Sequence, residues 1–434
     1  MRYLWLPPLL AACMTLPCLA ESGADAARQA TPAAAGTVAA TTPALTLDQA
    51  LALALAHYPD LAAARSEVQA TQAALLVAGA RPAALAEGEL EDTRRETRST
   101  TLRLAQPIEL GGKRQARLEA AGRGLDVALA RQALRRGQLR AEVTAAFAEA
   151  LVAQERVRLA QAALELARGG SEAAQRRVTA GKVSPIEETR ARVAQAGVAV
   201  ELAQARGELR AALQGLQALL GADAAVQAVA GDIAPPPLPP REALLARVEQ
   251  APALRVARLD VERLGALARV ERTRRVPDVT VGVGAKHSEE LGRTQALLTL
   301  SVPLPVADAW RGAELEALRR QDQARFEAEA ATLRLRAEVA RAHERLQAAV
   351  TEARTLHGEV LPGAQSVFEA TTKGYELGKF GFLDVLDAQR TLLLSRTQYL
   401  RAIAQAHLAA ADIDRALGDD PSTDPHTDPA AAGR

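Results

Sequence analysis

Residues 180–186 read AGKVSPI and residues 377–383 read LGKFGFL. Each Gly-Lys pair is followed by a break and then an amphipathic run. The second follows the first by 197 positions, from Gly181 to Gly378. Glycine accepts the positive φ that a tight turn between helices demands. A lysine close to a helix C-terminus is favoured by the helix dipole. Two such turns in matching surroundings predict a chain made of two copies of one design.

Other anchors recur in the same order. Pro59, Arg65 and Val68 of the first half match Pro252, Arg258 and Val261 of the second. Leu102, Leu104 and Pro107 match Leu298, Leu300 and Pro303. The offset drifts from 193 through 196 to 197, as small loop insertions would make it do. The predicted organisation is a first repeat over 45–222, a Pro-rich linker over 223–240 and a second repeat over 241–418. The linker contains GDIAPPPLPP, whose prolines stiffen it.

Each repeat reads as helix, two strands, very long helix, break, helix. In the first, a helix starts near Thr46, whose hydroxyl can cap the next turn. It runs to about Ala80, with a kink before Pro59. Strands are expected near 85–92 and 99–106, where Leu102 and Leu104 alternate with Thr101 and Arg103. Gly111 and Gly112 then form a strand-to-helix turn. Residues 113–179 contain no proline, which allows a helix of ~100 Å at ~1.5 Å per residue. Leu139, Val143, Phe147 and Leu151 mark its apolar stripe. After the Gly-Lys turn, a helix over 185–220 starts with Pro185 in its first turn and ends at Gly221. The second repeat offers strands over 279–286 and 295–302, and a long helix over 310–377 bent at Pro362.

Four short strands cannot close a barrel, and their edges would carry unpaired backbone groups. Within a bilayer only helices and closed barrels satisfy the backbone. The expected strands are near the ~9–11 residues of a tilted membrane strand. Several copies sharing one barrel would resolve this, and three copies would supply twelve strands. The competing reading is a small antiparallel cap on a soluble periplasmic coiled-coil scaffold. The absence of aromatic girdles counts for that alternative.

The chain begins MRYLWLPPLLAACMTLPCLAESGADAA. Arg2 precedes an apolar stretch, and small residues end at Ala20. This predicts a signal peptide over 1–20, cleaved after Ala20. Pro7 and Pro8 interrupt a run too short for the ~20 apolar residues of a membrane span. Leu10-Ala11-Ala12-Cys13 also resembles a bacterial lipobox. Cys13 and Cys18 are the only cysteines, so cleavage would leave neither a disulfide nor a thiolate metal site. Segments 21–44 and 419–434 are biased in composition and predicted to be disordered.

Net charge is +1 and aromatic residues make up 3% of the chain. Neither suits a nucleic-acid partner, which favours a basic face. The Gly-Lys at 181 is no phosphate loop, because Arg176 stands where the first Gly belongs and no Ser or Thr follows Lys182. The histidines have no zinc-site spacing. His343 and His357, fourteen apart on one helix, are expected at the surface. No Ser/His/Asp set is legible. The reading is a non-enzyme without cofactor or metal site.

QPIELGGKRQAR (106–117), GKVSPIEETRAR (181–192) and LGKFGFLDVLDAQRTLLLSRTQYL (377–400) resemble the TolC-type outer membrane efflux proteins, and more narrowly the CzcC-like heavy-metal branch. The resemblance covers about 46–417. It implies a mainly α fold with a small β part: a long α-helical barrel plus a transmembrane β-barrel completed by trimerisation, four strands per chain, built from two internal repeats. It implies a homotrimer in outer membrane lipid of a Gram-negative cell, extending into the periplasm. The implied partners are a periplasmic adaptor (membrane fusion) protein and a proton-driven inner-membrane RND pump, and the cargo is divalent cations such as cobalt, zinc and cadmium. A duct for drugs or secreted proteins is the alternative within the family. The turns Ala180-Gly181-Lys182 and Leu377-Gly378-Lys379 would meet the adaptor. Asp384 and Asp387 would line the periplasmic entrance constriction, with Glu187 and Arg190 at the equivalent offset in the first repeat. Lys in the third place of each turn departs from the Val-Gly-Leu-like family pattern and implies a more polar adaptor contact.

Overall fold

The structure, a computed structural model, describes residues 44–221, 226–304 and 309–418. The expected signal peptide with Cys13 and Ala20, the segment from 21 to Pro43, and the tail 419–434 lie outside the described residues.

Helix α1 (Leu47–His57) begins with a reciprocal cap. The Gln49 N–H donates to Thr46 Oγ1 at 3.4 Å, and the Thr46 N–H donates to Gln49 Oε1 at 3.1 Å. The expected kink before Pro59 is a full break. Proline forces the preceding residue into extended backbone, and Tyr58 (φ −68°, ψ 123°) divides α1 from α2 (Pro59–Gly79). Strands β1 (Leu85–Glu91) and β2 (Ser99–Ile108) lead into the 67-residue α3 (Lys113–Thr179) and then α4 (Pro185–Leu220).

In the second repeat, α5 (Arg241–Arg247) and a 3₁₀ turn precede α6 (Pro252–Thr273). Strands β3 (Val279–Ser288) and β4 (Arg293–Ser301) lead to α7 (Ala309–Thr355). The bend expected at Pro362 is a π-helical turn over Leu356–Val360, with α8 (Leu361–Glu376) resuming beyond it. The proline ring would press on the carbonyl four residues back, and the wider turn makes room. Helix α9 (Phe382–Leu417) completes the chain.

The strands form one antiparallel sheet in the order β1-β2-β3-β4. The β2–β3 ladder, including Leu102↔Ala285 and Leu104↔Val283, joins the two repeats. The outer edges of β1 and β4 have no partner among the described residues. The sheet is inverted relative to a water-soluble one. Leu102 is 66% exposed, Leu298 77% and Leu300 71%. On the opposite face Ser99 and Thr101 are buried, Arg103 pairs with Glu87, and Lys286 pairs with Glu91 at 2.5 Å. Near the hairpin ends the apolar face gives way to Thr100 and His287, whose Nδ1 lies 3.0 Å from Thr294 Oγ1.

Each repeat has its own core. Leu139, Val143, Phe147 and Leu151 pack with Leu61, Leu216 and Val229. Val339, Leu346 and Val350 pack with Leu244, Leu254 and Ile413. Val152, Ala353, Leu400 and Ile403 join α3, α7 and α9, with Leu356 of the π-helical turn beside them. Much of the rest is alanine, which lets helices approach closely. The linker is tied down along these helices. The Gln154 amide both donates to Val229 O and accepts from Val229 N. Nε2 of His407 donates to Ala234 O at 2.9 Å and that of His343 to Pro239 O at 3.2 Å. His343 is therefore not a surface residue: it is 6% exposed, because the linker covers it.

Candidate functional site

The two Gly-Lys turns have the same backbone design. After α3, the Lys182 N–H donates to Arg177 O at 2.9 Å and the Gly181 N–H to Val178 O at 2.9 Å. After α8, the Lys379 N–H donates to Gly374 O at 2.8 Å and the Gly378 N–H to Tyr375 O at 3.0 Å. Each is a Schellman cap, in which a left-handed residue lets two carbonyls at the helix end find donors. Gly181 (φ 69°) and Gly378 (φ 73°) supply that residue. Lys182 and Lys379 are exposed beside them, and so are Ala180 and Leu377.

The helices leaving the turns start differently. Ser184 Oγ accepts from the Ile186 N–H at 3.4 Å, with Pro185 at the first helical position. Gly381 cannot cap through a side chain, so Asp384 reaches back and accepts the Gly381 N–H at 2.8 Å. Asp384 thus closes the start of α9, where the dipole favours an anion. Asp387 is exposed one turn further on, and its carboxylate has no hydrogen-bond or ion-pair partner among the described residues. Glu187 occupies the place equivalent to Asp384, with one carboxylate oxygen buried and unpartnered.

An aromatic cluster that sequence reading missed holds the two tips together. The Arg177 guanidinium lies 4.4 Å from the Tyr375 ring centroid, and the Tyr375 and Phe382 rings are 5.8 Å apart. Phe382 is buried with Ala174 and Ala191. The Phe380 ring lies against Gly374, where an added Cβ would collide with it. The signal was compositional: Tyr375, Phe380 and Phe382 fall within eight residues of a chain that has only five Phe and four Tyr.

The ELGGKR stretch forms a clamp at the other end of α3. Gly111 (φ 72°) and Gly112 (φ 76°) turn the chain from β2 into α3, and a Cβ on Gly111 would come within 2.7 Å of Val276. Lys113 Nζ donates to Asp278 Oδ1 at 2.7 Å. Arg114 Nε donates to Gly79 O at 2.6 Å and Arg117 Nη2 to Ala80 O at 3.2 Å. Arg117 also holds Glu109 through both guanidinium nitrogens. These hydrogen bonds keep the Glu109 carboxyl below the usual carboxylate range, and Glu109 raises Arg117 in turn.

Among the described residues, no group of three or more His, Cys, Asp or Glu could hold a metal ion. None of the described helices is long and apolar enough to cross a membrane. The candidate site is thus a polar tip with exposed apolar neighbours, joined by a long helical layer to an inverted sheet.

A family model described as "Outer membrane efflux protein" matches residues 50–222 and 246–419. The cobalt-zinc-cadmium resistance protein CzcC of Cupriavidus metallidurans is 41% identical over 420 residues, covering 96% of this chain and all of that one. The nickel-cobalt-cadmium resistance protein NccC of Alcaligenes xylosoxydans is 29% identical over 259 residues, covering 59% of this chain and 58% of the relative. Among solved structures, CusC matches with a TM-score of 0.72 at 18% identity, covering 86% of this chain and 92% of that one. The outer membrane protein VceC of Vibrio cholerae matches with a TM-score of 0.69 at 20% identity, covering 86% and 96%.

Proposed function

The chain belongs to the outer membrane efflux protein family, and from that premise we propose that it is the outer membrane duct of a tripartite efflux system for divalent heavy-metal cations. The observation that carries the membrane part is the inverted sheet. Leu102, Leu298 and Leu300 on an exposed face are costly in water at ~25 cal/mol per Å² of apolar surface and favourable against lipid. The open edges of β1 and β4 must be paired before such a sheet can lie in a bilayer. Three copies would close a twelve-stranded barrel. The inverted sheet also counts against the soluble coiled-coil scaffold, which would have no apolar medium for these leucines.

The metal part rests on the likeness to CzcC along nearly the whole chain. In this reading an inner-membrane RND pump supplies the energy and a periplasmic adaptor joins it to the duct. The adaptor meets the tips at Ala180-Gly181-Lys182 and Leu377-Gly378-Lys379. Asp387, with Asp384 beside it, rings the entrance and favours cations there. The test is growth of a deletion strain on zinc, cadmium, cobalt, nickel, copper and silver salts beside organic antibiotics. Sensitivity to divalent metals alone, restored by the intact gene, is the expected result. Sensitivity to organic compounds alone would overturn the metal assignment and keep the duct.

A further inference from the structure

All four strands run into helices at one end of the sheet, and both hairpins close the other end. The exposed apolar face continues past β2 through Ile108 and Leu110, and past β4 through Val302 and Leu304. The first residues of α3 and α7 therefore lie where this face stops. Trp310, the only tryptophan after residue 5, stands there in the first turn of α7. It is partly buried, with the Arg311 guanidinium 5.2 Å from its ring centroid. Tryptophan has an apolar body and one N–H, and it concentrates at the boundary between hydrocarbon and headgroups. The helix end of the sheet is thus at headgroup depth.

Charge is distributed unequally between the two ends. The junctions over 79–84, 109–117 and 272–278 hold seven Arg and Lys against two acids, Glu109 and Asp278. The hairpins over 92–98 and 289–293 hold four cations and four acids. Ion pairs absorb part of the excess at the junctions. Lys113 pairs with Asp278 at 2.7 Å, Arg274 with Glu271 at 3.0 Å, and Arg117 with Glu109. Arg81, Arg114 and Arg275 stay exposed, with no carboxylate partner among the described residues. The three are neighbours. Arg114 Nε donates to Gly79 O, two residues before Arg81. Gly111, three residues before Arg114, abuts Val276, which follows Arg275.

Local electrostatics gives no reason for this arrangement. The first turn of α3 has no acid. It opens instead with Lys113 and Arg114, where the helix dipole disfavours cations. An anion from outside the chain accounts for both the placement and the surplus. We propose that Arg81, Arg114 and Arg275 form a binding surface for the phosphates of anionic phospholipids, such as phosphatidylglycerol, in the periplasmic leaflet of the outer membrane. Guanidinium groups match phosphate oxygens in bidentate fashion, and their long stems reach from apolar surface to headgroups. Lipopolysaccharide is the poorer fit, because the hairpin end that would face it has no surplus of cations. The proposal rests on the outer membrane reading and adds to it the lipid that seats the sheet at a fixed depth.

The test uses the full chain extracted from outer membranes in a non-ionic detergent. Native mass spectrometry counts bound lipid as phosphatidylglycerol or phosphatidylcholine is added. An arginine near a membrane surface contributes about fivefold to the binding of anionic lipid. Arg81→Gln with Arg275→Gln should therefore weaken phosphatidylglycerol binding about 25-fold and leave phosphatidylcholine unchanged. Arg94→Gln with Arg95→Gln, the same loss of charge at the hairpin end, should change neither. Arg81→Lys with Arg275→Lys should keep the preference for phosphatidylglycerol. Undiminished phosphatidylglycerol binding in the Arg81→Gln, Arg275→Gln variant would overturn the proposal. So would an equal loss in the lysine variant, which marks a structural effect, or in the hairpin variant, which marks bulk charge. Full displacement by inorganic phosphate at equal concentration would reduce the surface to a free-anion site, and displacement by lipopolysaccharide would assign it to the other leaflet; either overturns it. Recovery of the unaltered chain outside outer membrane fractions would overturn the membrane reading itself.

Discussion

Glu109 and Arg117 join the sheet to the longest helix, and their coupling can be worked out in advance. The Glu109 side chain is 13% exposed and that of Arg117 33%. Arg117 donates through both Nη atoms to the carboxylate and once more to Ala80 O. A hydrogen bond to a charged group contributes ~1.5–3 kcal/mol net, and the one-third exposure of Arg117 argues for the lower half of that range. A double-mutant cycle of Glu109→Ala and Arg117→Ala should give a coupling of ~2 kcal/mol, about 30-fold in a folding constant. Urea unfolding of the detergent-solubilised protein, followed by circular dichroism, measures it. The pH dependence has a fixed sign. The folded Glu109 carboxyl lies below its unfolded value, so its contribution is complete above ~4.3 and is lost as pH falls through the folded value. The gap between the unaltered chain and Glu109→Ala should therefore narrow from pH 5 towards pH 3. At matched expression the metals tolerated should not change, because the clamp binds protein and not cargo. A coupling below ~0.5 kcal/mol, a range typical of exposed pairs, would refute the clamp, and a changed metal spectrum would refute its purely structural role.

Asp387→Asn should lower cation over anion permeability about fivefold in planar bilayers at 0.15 M salt, taking three charges ~6 Å from the ion at ~0.7 kcal/mol each in water and about half screened. The difference should fade at 1 M, and equal reversal potentials at low salt would remove Asp387 from the pore. Asp384→Ala should cost a further ~1 kcal/mol in tip stability that Asp384→Asn does not, read by limited proteolysis at the tip, because only alanine abolishes the cap at Gly381. Burial holds His407 below the usual histidine value. Folding therefore favours its neutral form, so stability should drop as pH falls below ~6.5, and His407→Gln should flatten that slope in thermal unfolding curves. Gly374→Ala must displace the Phe380 ring. It should weaken binding of the purified adaptor about as much as Phe380→Ala does, with the double variant no worse, and additive losses would mean that the two act separately.

The sequence by itself determined the elements that depend on local rules. The absence of proline over 113–179 set the length of α3, and Gly181 and Gly378 set the two turns through backbone freedom that no other residue has. Thr46 and Pro185 marked helix starts because capping is decided within one turn. Alternation at Leu102 and Leu104 identified the strand. Local rules could not say which face of that strand is wet, and only pairing of β2 with β1 and β3 placed the leucines outside and the Glu87–Arg103 pair on the opposite face. The ELGGKR stretch read as a family mark, but its charges had no partners until Gly79, Ala80 and Asp278 came beside them. His343 read as a surface residue because its helix gave no sign that a linker a hundred residues earlier would lie over it. The tips followed the same division. Glycine at the turn is a property of one residue, whereas the Arg177–Tyr375–Phe382 cluster exists only because two hairpins 197 residues apart meet at one height. Backbone conformation is a short-range property that a sequence carries directly, and side-chain partnership is a long-range one that tertiary packing alone decides.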